Sequence, residues 1–221
     1  MEQKVDKGYR GLPMEGIIAS WYARTTAKAP YRHQQAAQEL SKKIPAGSRV
    51  LEIAPGPGFF CIELARLGQY DITGLDISHS FVAIANENAA KAGVRVNFRQ
   101  GNASAMPFED ESFDFTVCQA AFKNFSQPVR AIAEMYRVLR PGGQSLIIDM
   151  RRDCSPEAIE EEVRKMDVGA INQWMVRWTF RNMLIKRAYT KVEMERFVAQ
   201  TPFRTCRIEE EGIGLNVWLS K

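Results

Sequence analysis

Residues 49–67, RVLEIAPGPGFFCIELARL, confine the possible folds more than any other stretch. RVLEI reads as a buried strand, and Gly58 to Leu67 as a helix with Ile62, Leu64, Ala65 and Leu67 apolar and Gly68 just past its end. Between them Gly56 and Gly58 alternate with Pro55 and Pro57. Glycine lets backbone approach a ligand closely at φ values other residues avoid, and proline fixes its own φ, so the loop is at once open and stiff. A strand that runs through such a loop into a helix opens a β-α-β unit. Units of this kind build a mainly parallel, doubly wound sheet, whose ligands bind beyond the carboxyl ends of its strands.

The chain keeps this rhythm. YDITGLD (70–76) is a second strand, Ser78 an N-cap, and 79–92 a helix closed by Gly93; VRVNFRQ (94–100) and SFDFTVCQ (112–119) follow as strands. Pro128 opens the helix PVRAIAEMYRVL, Pro141-Gly142-Gly143 ends it, and QSLIID (144–149) is the fifth strand. Residues 155–188 read as helical, Thr190 and Glu193 form a capping box for a helix to about Gln200, and FRTCRIEE (203–210) with GLNVWLS (214–220) reads as a terminal hairpin joined through Glu211, Gly212 and Ile213. Upstream, MEGIIASWYA (14–23) has helical spacing. The expected plan is one α/β domain: a helical cap over 1–44, a ligand-binding core over 45–150, a helical lid over 151–189, and a helix with an antiparallel hairpin over 190–221, giving a seven-stranded, mainly parallel sheet.

Glu52 decides what the glycine loop receives. A phosphate a few ångströms from this carboxylate would be repelled by roughly a kcal/mol even in water, and a dinucleotide fingerprint would have its third glycine where this chain has Cys61. A cationic group suits the place better. Asp76 ends the second strand 18 positions after Gly58, near the spacing at which an acid meets ribose hydroxyls. Asn102, after the third strand, has an amide that both donates and accepts, as reading an adenine edge requires, and Gln119 is expected to play a similar part after the fourth. Adenine, ribose and a cation without phosphate describe S-adenosylmethionine (SAM).

In order, VLEIAPGPG, ITGLDIS, GNASAMPFEDESFDFTVC and EMYRVLRPGGQSLIID resemble the motifs of class I SAM-dependent methyltransferases of the small-molecule, type 11 branch, over about residues 48–150. The resemblance implies the Rossmann-like fold of that class. It implies that Glu52 and the loop of Ala54, Gly56 and Gly58 meet the methionyl part of SAM, Asp76 the ribose, Ile77 an adenine face, and Asn102 with Ala103 the adenine edge. Two positions depart from the family's habit: Ala54 stands where a glycine is usual, and Asn102 where an aspartate is. The implied activity is transfer of the SAM methyl group to a small acceptor by in-line displacement, which needs orientation and exclusion of water more than a dedicated base.

Lys123 and Asn124, in AAFKNFSQP, fall near the expected methyl group and are the catalytic candidates, where relatives often show histidines. As a base Lys123 would need a lowered pKa; positioning of the acceptor and a plain surface role are the other readings. Tyr22, Phe122, Trp174, Arg177 and Trp178 are the candidate acceptor contacts, in an aromatic-lined lid. The plainer expectation for Trp21, Tyr22, Tyr31, Trp174, Trp178, Phe180 and Tyr189 is core packing. From Val168 to Val192 there are five cations and no acid, which fits a solvated face or the attraction of an anionic acceptor.

Charge and cysteine usage narrow the rest. Net charge is +5 over residues 1–49, −3 over 50–150 and +2 over 151–221, too modest to favour nucleic acid as the partner. No run is apolar enough to span a bilayer, so neither a membrane partner nor export is expected, and a cytoplasmic location is the default. Cys61, Cys118, Cys154 and Cys206 lie far apart and are expected as buried, reduced thiols with no metal, a thiol-rich site for a soft metalloid being the other reading. A SAM-binding subunit without methyl transfer, a nucleic-acid methyltransferase and a nicotinamide oxidoreductase are the rival functions; a homodimer is open.

Overall fold

The computed structural model describes residues 8–11, 13–28, 30–165 and 170–221. Seven strands form one sheet in the order β3-β2-β1-β4-β5-β7-β6. They are β1 (Arg49–Ile53), β2 (Asp71–Asp76), β3 (Asn97–Gln100), β4 (Phe113–Gln119), β5 (Leu139–Met150), β6 (Thr205–Glu211) and β7 (Gly214–Ser220). The first five run parallel; β7 pairs antiparallel with both β5 and β6, through the expected terminal hairpin. Strand order reverses between β1 and β4, which makes the carboxyl ends of these two strands the place where a ligand crevice opens.

Helices cover both faces, as a parallel sheet needs. On one side α2 (Pro30–Ser41), α3 (Phe59–Arg66) and α4 (His79–Ala92) bury Leu40, Phe60, Leu64 and Ala85 against Val50, Phe98 and Val117. On the other, α5 (Pro128–Val138) and a later helix over Lys191–Val198 bury Ile132, Met135, Met194 and Val198 against Leu51, Ile53 and Ile147. The close seating of α4 depends on Gly58, whose φ of +78° opens α3: a Cβ there would stand 2.6 Å from Phe98 Cζ and 2.9 Å from Ala85 Cβ.

Boundaries move where tertiary context outweighs local pattern. Residues 94–96 belong to no strand, and β3 begins at Asn97, the first residue paired with β2. α5 stops at Val138, and the chain is already extended from Leu139, which pairs with Phe113; Pro141-Gly142-Gly143 therefore lies within β5. The helical stretch expected over 155–188 is in parts: α6 (Pro156–Lys165), α7 (Ala170–Thr179), a π-turn over Phe180–Leu184 and α8 (Ile185–Arg187), with 166–169 outside the described residues. Ile159, Val163, Phe180 and Ile185 form a small core of their own beside Met150 and Ile213. The capping box at Thr190 and Glu193 is present and opens α9 (Lys191–Val198).

α1 (Gly16–Thr26) is inverted with respect to the expectation of core packing. Ala19 and Ala23 face inward, while Ile17 and Trp21 are 85% and 61% exposed; Tyr31, Trp174 and Trp178 are exposed as well, and only Phe180 and Tyr189 of the expected aromatic core are buried. The thiols also differ in part, with Cys61 and Cys118 buried but Cys206 exposed. No helix among the described residues is long and apolar enough to cross a membrane.

Candidate active site

Two alanines with positive φ mark the crevice, Ala54 (58°) after β1 and Ala120 (56°) after β4. Each turns back to donate its N–H to the neighbouring strand, Ala54 to Leu75 O and Ala120 to Ile148 O, both at 2.7 Å. A left-handed conformation costs an L-residue about 1–2 kcal/mol, and such strain gathers at functional edges. A glycine at the position of Ala54 would remove that cost.

Glu52 lies beneath this loop, 4% exposed. Its Oε2 accepts from Cys61 Sγ at 2.9 Å and its Oε1 from Gln119 Nε2 at 3.4 Å. Burial pushes its pKa up to about 7, against the downward pull of those two bonds and with a smaller upward push from Asp76. Among the described residues no lysine, arginine or histidine comes within ion-pair range of it. Burial and the facing carboxylate hold the Cys61 thiol protonated, so the residue that breaks a dinucleotide fingerprint serves Glu52 as a donor. Gln119, expected at the adenine edge, donates here to Glu52.

Asp76, 5% exposed, ties the loop to β2. Its Oδ2 accepts from Gly56 N and its Oδ1 from Ser78 N, each at 2.9 Å, while burial raises its pKa. Ser78, not Asp76, caps α4, accepting from Phe81 N. Asp76→Ala is accordingly expected to cost roughly 1–3 kcal/mol for each of the two orphaned donors, read from urea melts, over and above any ligand affinity. Nothing stands within 4 Å of the place a Cβ on Gly56 would take, so the space over the loop is open. Ile77 follows, its carbonyl accepting from Gln100 Nε2 at 3.3 Å. Asn102 spends its oxygen on its own loop, accepting from Ser104 N at 2.9 Å, and Ala103 is half-buried against the core. Glu52, Ala54, Gly56, Gly58, Asp76, Ile77, Asn102 and Ala103 thus share one edge of the sheet.

Sequence patterning gave no sign that residues 8–11 and 13–16 strap across this edge. Gly8 takes φ +72°, and a Cβ there would stand 2.4 Å from Ile77 Cδ1 and 2.7 Å from Asn102 Nδ2. Ser126 N donates to Gly8 O at 3.3 Å, Arg10 N to Asn124 O at 2.6 Å, and Ser78 Oγ to Met14 O at 2.6 Å. The Glu15 carboxylate accepts from His79 N and Ser80 N, both at 3.0 Å, at the amino end of α4. Tyr22 packs its ring edgewise on Phe81, and its phenol pKa is raised by burial and by the Asp76 carboxylate, which places it beside the crevice.

The remaining candidates separate. Lys123 is not on the surface: it is 4% exposed, with Nζ 2.7 Å from Asp149 Oδ1 and 2.5 Å from Ala120 O, while its N–H donates to Asp149 Oδ2 at 2.8 Å. An ammonium held by two acceptors holds the β4 and β5 ends together and is not a free base. Asn124 lends its backbone to the strap. Phe122 is sealed between Phe125 and Tyr189 at 1% exposure, so it lines no open space. Arg177 Nε is 2.7 Å from Glu160 Oε2, turned to α6, and Trp174 and Trp178 face outward. Tyr189, at the end of the β5 edge, has a buried hydroxyl without a hydrogen-bond partner and the Arg10 guanidinium 5.9 Å from its ring centre. No group of three or more metal-ligating side chains occurs among the described residues.

Strand order, crevice and strained strand ends define the Rossmann-like fold of the class I methyltransferases. A Methanococcus maripaludis protein assigned to the S-adenosyl-L-methionine-dependent methyltransferases shares it with a TM-score of 0.76 over 96% of this chain and 95% of that one, at 19% identity. The plantazolicin methyltransferase BpumL, solved with SAH and a monoazolic desmethylPZN analog, does so with a TM-score of 0.68 over 92% and 88%, at 16% identity. At such identities the likeness is one of fold. Residues 51–147 match the methyltransferase domain family. The demethylmenaquinone methyltransferase of Deinococcus radiodurans is 35% identical over 120 residues, 54% of this chain and 48% of that protein. The ubiquinone/menaquinone biosynthesis C-methyltransferase UbiE of Marinomonas sp. is 34% identical over 113 residues, 49% and 45% of the two. The chain spans about half the length of the curated relatives it matches.

Proposed function

We propose that the protein transfers the methyl group of SAM to a small acceptor, as one domain whose segments 1–44 and 151–189 cover the ligand edge. The observation that carries this is Glu52: a buried carboxylate near neutral pKa, without a cation of its own among the described residues, beside an open glycine loop. That donor set fits SAM, whose α-ammonium would meet Glu52, with Asp76 at the ribose and Ile77, Asn102 and Ala103 around the adenine. When bound, SAM supplies a methyl group on a positively charged sulfur. The chain's own part is to bind and orient: the Gly56 turn, held by Asp76, fixes the amino-acid end; the strap at Gly8 covers Ile77 and Asn102; the Lys123–Asp149 pair fixes the β4 and β5 ends past which an acceptor approaches.

Relatives named for quinone substrates support a small-molecule acceptor, and demethylmenaquinone is the first one to try. Nucleic acid stays outside this reading, because Arg137, Arg140, Arg151 and Arg177 are ion-paired within the chain. A cytoplasmic location belongs to the reading. Titration calorimetry with SAM, its demethylated product and NAD is expected to show saturable binding of the first two alone. Tight NAD binding without SAM binding would end the proposal, and SAM binding with no methylated product across an acceptor panel would reduce the protein to a SAM-binding subunit.

A further inference from the structure

Apart from Val192, the exposed large apolar side chains among the described residues all fall in α1, the start of α2 and α7. On α1, Ile17, Trp21 and Arg24 follow one another at four- and three-residue steps, a single outward stripe with the exposed Lys28 in the turn just past its end, while the small residues Ala19 and Ala23 face the body. A shallow groove of about 590 Å³ beside it is lined by Gly16, Ile17, Ser20, Arg24, Ser80 and Ile84. Trp174 and Trp178 stand one turn apart on α7. Neither segment carries acid: between Glu15 and Glu39 the charged residues are Arg24, Lys28 and Arg32, and between Asp167 and Glu193 there are five cations, of which Arg177 is taken by Glu160. Both segments leave from the ligand edge, where Gly11 of the strap lies against the Arg187 guanidinium.

A helix that turns tryptophan and isoleucine outward among acid-free cations has the composition of one that lies in a lipid interface. We propose that the outward face of α1 docks on an anionic lipid surface. A second copy is the poorer occupant, because a two-fold contact through this face would set Arg24, Lys28 and Arg32 against their own counterparts. Anionic headgroups neutralise the same three charges while the acyl boundary takes Ile17 and Trp21. The sequence-based expectation of no membrane partner rested on the lack of a spanning run, and a helix lying in the plane of the surface needs none. As the route by which a lipophilic acceptor reaches the crevice, docking rests on the methyl-transfer reading; as a surface property it does not.

Flotation of the full chain with vesicles tests it. Binding is expected to phosphatidylcholine vesicles containing phosphatidylglycerol and not to phosphatidylcholine alone, and to fall steeply with added salt. Ile17→Ser/Trp21→Ser and Arg24→Glu/Lys28→Glu should each weaken it at least about ten-fold with SAM titrations unchanged. Failure to float with anionic vesicles, or flotation indifferent to both double variants, would overturn the proposal. So would a dimer in sedimentation that Ile17→Ser/Trp21→Ser dissolves while no vesicle binds. Flotation without SAM binding would sink the methyl-transfer reading and leave docking standing.

Discussion

Glu52→Gln is expected to stabilise the ligand-free protein by about 3 kcal/mol at pH 8 while weakening SAM binding about ten- to hundred-fold. Burial raises this carboxyl from its ordinary 4.5 to about 7. Below pH 4.5 the acid is protonated whether the chain is folded or not, and it costs nothing. As pH rises, the unfolded chain releases the proton first, so folding is penalised progressively, and above the folded pKa the whole difference of about 3 kcal/mol is in force. Glutamine abolishes that penalty and keeps an oxygen for Cys61 Sγ. It also removes the one charge suited to an ammonium, whose hydrogen bond is worth about 1.5–3 kcal/mol. The same linkage gives the wild-type protein a SAM affinity that falls about ten-fold for each pH unit below 7. Denaturant melts at pH 5 and pH 8, with calorimetry over the same range, read all of this. A destabilised variant at pH 8, or a pH-independent affinity, would mean that Glu52 is not the buried, cation-seeking group described.

Lys123→Met should destabilise the protein by about 3–5 kcal/mol, because it leaves Asp149 buried and uncompensated. Asp149 also accepts from Lys123 N and Met150 N, both at 2.8 Å, so the carboxylate cannot turn away to solvent without orphaning them. Lys123→Met/Asp149→Asn removes both charges but keeps an acceptor for those amides, and it is expected to recover more than half of the loss. Guanidinium melts of the two variants make the comparison. A loss under about 0.5 kcal/mol in the single variant would put Lys123 back on the surface.

The strand and helix succession from residue 49 onward was legible because each element carries local punctuation: Ser78 and Gly93 bracket α4, Pro128 opens α5, Thr190 caps α9. So were the acids at the ends of β1 and β2, which stand at positions fixed by strand ends and the glycine loop. What escaped the sequence depends on partners far along the chain. Cys61 looked like a missing glycine until Glu52 faced it, and Lys123 looked free until Asp149, a residue of the next strand, closed on it. The inversion of α1 was hidden because helical periodicity reports that one face is apolar, not which way that face points. The strap over residues 8–11 and 13–16 has little periodicity at all, being held by backbone bonds and by Glu15.

Glu15 has one more effect. Its carboxylate supplies the two leading amides of α4 with acceptors that no residue of that helix provides. Removing that carboxylate, as in Glu15→Ala, would therefore leave the His79 and Ser80 amides without those acceptors at the start of the helix that packs on β2 and β3.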